Sequence, residues 1–232
     1  MKKLIFLFLV GLFFIPKILF SQSGAEVPAY DFSLFKEGDL LFQDIDCGPL
    51  CDAIEGVTQG HQGIDISHMG ILVKKDDSLW VCEAIDKVVH LTSIPDFMKR
   101  TSNSDGDPKV IGARLIDGYS SLAKKAAKEA IKYLGTTYDS KFSDGDVSLY
   151  CSELVYYSFK NANGGKDFFK LEPMTFNSPE TGKILEEWKK YFNELNIPVP
   201  EGMLGCNPAA YSKSDKLDII YDSGDFIIKE KE

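Results

Sequence analysis

Three short apolar runs, ISHMGILVK (66–74), SLWVCEAI (78–85) and KVVHLTSI (87–94), follow one another with only a few polar residues between them. Lys-Lys-Asp-Asp between the first two is the length of a tight hairpin turn, so these strands must pair antiparallel. FKEGDLLFQD (35–44) and PKVIGARLI (108–116) supply two further strands, and LDIIYD (217–222) a late one. Interleaved with them are helical patterns. SSLAKKAAKEAIKYLG (120–135) places Ala123, Ala127, Ile131 and Leu134 on one face, with Ser120 or Ser121 to cap it and Gly135 to end it. LYCSELVYYSFKNANG (149–164) predicts a second helix. Ser178 as cap and Pro179 at the first helical position predict a third over SPETGKILEEWKKYF. CGPLCDAIEGVTQG carries Leu50, Ile54 and Val57 at helical spacing. The fold class is α+β, an antiparallel sheet packed against helices.

The first residues stand apart from this pattern. MKKLIFLFLVGLFFIPKILFSQS has a basic start, an apolar run from Leu4 to Phe20 and a polar patch, the layout of a secretory signal peptide. Cleavage after Ser21 is expected, leaving 22–232 as a single domain that is periplasmic or extracellular, with no stable membrane insertion. The alternative is a membrane anchor. The formal charge of −9 becomes more negative when Lys2, Lys3 and Lys17 leave with the signal. An acidic surface of that kind excludes nucleic acid, whose phosphates require a basic stripe. With 44% apolar residues the chain has material for a full core.

Five cysteines, Cys47, Cys51, Cys82, Cys151 and Cys206, are an odd number for an exported protein, so at least one is unpaired. Cys47 and Cys51 are close enough to bridge if the local geometry allows. Cys151 is the candidate nucleophile, because it opens a predicted helix and unpaired N–H groups there favour the thiolate. A base must accompany it, and only His61, His68 and His90 are present. Alternation puts His68 on one face of its strand with Gly70 and Leu72, and groups Leu79, Val81 and Glu83 on the next. With the turn at Lys75-Asp76, His68 faces Glu83 directly. With the turn at Asp76-Asp77 the two are diagonal neighbours on the same face. Glu83 is therefore the expected orienter of the imidazole. His90 is the alternative base, and His61 lies in a Gly-rich loop.

GTTYDSKFSDGDVSLYCSELV (135–155) resembles the NlpC-type papain-like cysteine hydrolases, which carry a Gly-Thr-x-Tyr segment before a Cys-Ser-x-hydrophobic helix start. Here His68 and Glu83 precede Cys151, the reverse of ordinary members. That order, with GDLLFQ upstream and ISHMGILV carrying the histidine, resembles the circularly permuted YiiX/YebB-like branch over roughly residues 35–175. The resemblance implies a permuted papain-like fold with Cys151 as nucleophile, His68 as general base and acid, Glu83 in the third position and Tyr138 at the oxyanion. It implies no cofactor and no metal. Asp139-Ser140 stand where the family has Gly-Gly, and Tyr150 where it has Asp. Those positions line the groove of the cell-wall peptidases, so a peptidoglycan substrate does not carry over with the chemistry.

The function expected is an exported cysteine hydrolase cleaving an amide, or an ester, through an acyl-enzyme, in cell-wall peptides, lipid amides or another small-molecule, peptide or lipid substrate. The alternatives are a lipid acyltransferase on the same fold and a non-catalytic lipid- or peptide-binding domain, with Tyr156, Tyr157, Phe159 and the run FFKLEPMTF around its pocket. Cys47, Cys51, His61 and His68 also form a spacing that a zinc site would use. IPVPEGMLGCNPAAY (197–211) is read as a connecting loop, with a lid over the cleft as the alternative. No motif bears on oligomeric state.

Overall fold

A computed structural model describes residues 32–102, 107–143, 145 and 147–224, and the predicted signal segment lies outside these. In chain order the elements are β1 (Leu40–Gln43), α1 (Pro49–Val57), β2 (His68–Lys75), β3 (Ser78–Ile85), β4 (Val88–Ser93), α2 (Ile94–Arg100), β5 (Val110–Leu115) and α3 (Ser120–Lys132). Then come α4 (Cys151–Ala162), β6 (Glu172–Pro173), α5 (Glu186–Glu194), β7 (Leu204–Gly205), α6 (Pro208–Ser212) and β8 (Leu217–Asp222). Six strands form one sheet in the order β4-β3-β2-β1-β5-β8, every neighbouring pair antiparallel. The short β6 and β7 pair separately.

Alternation along the strands decides what packs where. Leu40, Phe42, Met69, Ile71, Cys82 and Ala84 face α3 and α4, meeting Ala126, Ala127, Ala130, Leu154, Val155 and Phe159 in the main core. The alanine face of α3 lets that helix lie close to the sheet. Leu134, expected on the same face, falls past the end of the helix and is exposed. On the opposite face Leu41, Leu72, Val81 and Val110 are covered by Ile94, Phe97 and Met98 of α2. A third cluster lies outside the sheet, where α1 meets α5 through Ala53, Ile54, Phe176, Trp188 and Phe192. Trp188 donates its indole N–H to the Ala53 carbonyl at 3.1 Å, which ties the two helices together.

One open reading is decided and two are corrected. Of the two hairpin registers expected, the turn is Asp76-Asp77, both at positive φ, pairing Lys75 with Ser78. The third helix starts at Glu186, not at Ser178. The Ser178 hydroxyl does accept from the N–H groups of Glu180 and Thr181, but the chain turns away at Gly182, φ 64°. The strand expected over 87–94 ends at Ser93, where the Ser93 hydroxyl accepts from the Asp96 N–H at 3.2 Å and Pro95 follows inside the first turn, starting α2. Ser93→Ala is expected to cost about 1 kcal/mol in urea unfolding. An unchanged midpoint would show that packing of Phe97 and Met98 alone starts the helix.

Candidate active site

His68 is the first residue of β2, paired with Gln43 at the end of the sheet. Its ring stands beside Phe97 of α2, 6.1 Å between centroids, and close enough to the Cys151 side chain for the two to interact electrostatically. A residue deeper in the strand would be confined to one face. At the sheet's end the ring reaches both α2 and the start of α4. The Nε2 atom lies 2.6 Å from Glu83 Oε2 in a fully buried contact, leaving Nδ1 as the nitrogen available to the sulfur. The observed register explains how Glu83 reaches it. The ladder sets Glu83 across from Gly70, so the carboxylate lies diagonally from His68 with no side chain between them. A Cβ on Gly70 would sit 2.5 Å from Val81 Cγ1 and 3.3 Å from Glu83 Cβ.

Glu83 is completely buried, a costly place for a charge unless it is paired. Arg100 pairs it from the last turn of α2 with two bonds, Nη1 to Oε2 at 2.8 Å and Nη2 to Oε1 at 2.6 Å. Thr92 of β4 donates its hydroxyl to Oε1. Gln43 steadies the arginine in turn: its Oε1 accepts from Arg100 at 3.3 Å while its amide donates to the Phe97 carbonyl at 2.6 Å. Burial would raise the Glu83 carboxyl, but Arg100 and then His68 outweigh it and hold the group well below the usual carboxylate range. Burial would likewise lower His68. Hydrogen bonds to Cys151 and Glu83, with their charges, overcome that and bring the imidazole up to about 9. The site favours a protonated ring against the Glu83 carboxylate.

Cys151 is the first residue of α4, where its N–H has no acceptor within the helix. Tyr150 precedes it in extended conformation, and the Tyr150 N–H donates to the Glu153 carboxylate at 3.4 Å, which closes the first turn. Cys151 is buried apart from its contact with a cavity of about 160 Å³, whose walls also include Tyr138. Burial, and next the neighbouring Cys151, push the Tyr138 phenol well above its ordinary range, so it stays a donor. Cys82 and Cys206 are also free thiols, and burial pushes both up to about 12.

The structure therefore brings Cys151, His68, Glu83 and Tyr138 to one place. His90 stands across the ladder from Glu83, 3.7 Å from its Oε1, while the ring that interacts with Cys151 is that of His68. His61 donates its backbone N–H to the Ser212 hydroxyl at 2.9 Å. Cys47 and Cys51 are joined as a disulfide, which removes both thiolates from the zinc spacing considered above. Arg100, Thr92 and Gln43 are the residues that sequence reasoning missed. The Ser-Ile-Pro-Asp start of α2, read as the end of a strand, was the signal that could have found Arg100.

The two departures at the family motif have structural reasons. The Asp139 carboxylate accepts from the N–H groups of Lys141 at 2.9 Å and Ser143 at 2.7 Å, folding the loop that presents Phe142. The Tyr150 hydroxyl accepts from the Cys206 N–H at 3.0 Å and so ties residues 204–207 to the start of α4. Gly205, Cys206, Asn207, Pro208 and Tyr211 line the cavity. Residues 197–211, read as a connecting loop, thus supply one of its walls.

Residues 34–221 match the model of a family described as "Permuted papain-like amidase enzyme, YaeF/YiiX, C92 family". The chain is 31% identical over 190 residues to an uncharacterized protein YiiX of Escherichia coli K12, spanning 80% of this chain and 86% of that one. It is also similar to a crystal structure of a protein described as the metalloprotein yiiX from Escherichia coli O157:H7. The TM-score is 0.65 at 25% identity, covering 81% of this chain and 97% of that one.

Proposed function

The chain belongs to the permuted papain-like amidase family, and on that premise we propose that it is an exported cysteine amidase working through a Cys151–His68–Glu83 triad and an acyl-enzyme. The observation that carries the reading is the imidazole of His68, which interacts with Cys151 on one side and on the other is bonded at 2.6 Å to a carboxylate that Arg100 keeps ionised. In this scheme Cys151 Sγ attacks the amide carbonyl. The charge that develops on its oxygen faces the Cys151 N–H and the Tyr138 hydroxyl. His68 gives its proton to the leaving amine, then takes one from the water that opens the thioester. Glu83 holds the ring so that Nδ1 faces the sulfur, and it stabilises the imidazolium.

Export is supported by the signal-like start and by the Cys47–Cys51 disulfide, a bond that persists in oxidising compartments. The similar Escherichia coli O157:H7 protein is described as a metalloprotein. Among the described residues of this chain, no group of three or more His, Cys, Asp or Glu side chains is placed to hold a metal ion, and no step is assigned to one. A thiol-directed electrophile tests the reading. Cys151 is expected to label far faster than Cys82 and Cys206, and the preference should vanish in His68→Ala. Equal, slow labelling of all three would leave a papain-like fold used for binding.

A further inference from the structure

The cavity beside Cys151 has more to say about substrate than the triad does. Its far wall is built by Ile54 and Val57 of α1 and by Phe142, Met174, Phe176 and Trp188, all carried by the aromatic cluster outside the main sheet. Phe142 packs edge-on against Trp188, 5.7 Å between ring centroids, and against Tyr150 at 5.3 Å. The charged residues at its edge, Lys170 and Glu172, are exposed rather than turned inward. An apolar group gains by entering such a space, whereas a charged peptide side chain would lose its water without finding a partner.

Position fixes which half of the substrate enters. The leaving amine has to lie beside His68, because that ring delivers its proton. His68 is not among the residues that wall the cavity, whereas Cys151, Ser67 and Tyr138 are. The apolar space therefore lies on the side of the sulfur that keeps the acyl group after the amine departs. Size sets the limit. A closed apolar cavity of about 150 Å³ takes one benzene; the 160 Å³ here is partly open to solvent, so it shelters a group of about six carbons and leaves the rest of a longer chain in water.

We propose that this cavity is an acyl pocket, and that the enzyme prefers amides of short apolar or aryl-containing acids over long-chain lipid amides and charged cell-wall peptides. The proposal rests on the amidase reading above. In acylation the Sγ–C bond forms and the C–N bond breaks, the His68 proton leaving on the amine. In deacylation water oxygen bonds the carbonyl carbon, the C–S bond breaks, and one water proton passes to His68 as the carboxylic acid departs.

The test is kcat/KM of the full chain on N-acyl p-nitroanilides from acetyl to dodecanoyl, with phenylacetyl included. Each methylene buried is expected to raise kcat/KM about fourfold up to roughly the six-carbon chain, with no gain beyond. Phenylacetyl should fall near hexanoyl. Met174→Ala, which enlarges the space, is expected to move the break to longer chains, and Ile54→Phe to shorter ones. Nitroaniline release at equal rates across the series, or rates rising steadily to dodecanoyl, would overturn the acyl pocket and leave the amidase reading standing. Failure of every compound to acylate Cys151, weighed on the intact protein, would remove both.

Discussion

Replacing His68 with alanine is expected to slow amide turnover by roughly three to four orders of magnitude. The imidazole is bonded to Glu83 and interacts with Cys151, so its loss removes the base for the thiol and the acid for the leaving amine in one step. The fold should survive, because Arg100 still pairs both oxygens of Glu83. An unchanged circular dichroism spectrum alongside lost activity is the expected pair of results. Turnover within tenfold of wild type would exclude His68 from the chemistry. The wild-type pH profile gives a second check. With the imidazole raised to about 9, the acid needed by the leaving group is present at neutral pH and lost as pH climbs through about 9, so kcat/KM should fall on that alkaline limb. Stability moves the same way. A folded value raised above the ordinary 6.5 contributes fully below that point and is lost as pH passes about 9.

Arg100→Met is expected to cost about 3 kcal/mol at neutral pH, since it takes away the two-bond partner of a fully buried carboxylate and leaves it His68, Thr92 and the more distant His90. The sign of the pH dependence follows from Glu83. Its depressed folded value contributes stability above the ordinary carboxylate range, lost as pH falls and the group protonates. The gap between wild type and variant should thus be widest near neutrality and narrow in acid. Urea unfolding at a series of pH values measures it. A gap below about 1 kcal/mol, or one that does not change with pH, would mean that the arginine is not what keeps Glu83 charged. Arg100→Lys separates charge from shape: a single ammonium cannot hold both oxygens at once, so only part of the loss should be recovered.

How far the site could be read from the chain depended on how local its geometry is. The His68–Glu83 relation follows from a period-two pattern and a short turn, and both candidate turns kept the pair on one face. Cys151 at a helix start was visible in the Leu-Tyr-Cys-Ser-Glu run. Arg100 was not, because KVVHLTSI reads as one continuous strand. The Ser93 cap and Pro95, which end it, count for more than the apolar residues on either side. The cavity as a whole was out of reach for a different reason, although one of its lining runs was read. Its walls come from residues as far apart as Ile54, Phe142, Trp188 and Tyr211, and no periodicity links them. Two threads were visible: the run FFKLEPMTF, which does supply Met174 and Phe176 to the cavity, and the motif departures Asp139-Ser140 and Tyr150, which marked an altered groove without saying what had replaced it.

The disulfide between Cys47 and Cys51 sits at the head of α1, and α1 supplies Ile54 and Val57 to the space where the acyl group would rest. Reductants added to keep a reactive thiol fresh would open this staple as well. Two laboratories working with and without dithiothreitol would then be handling enzymes with the same chemistry but a differently braced pocket, and their selectivities should part company before their rates do.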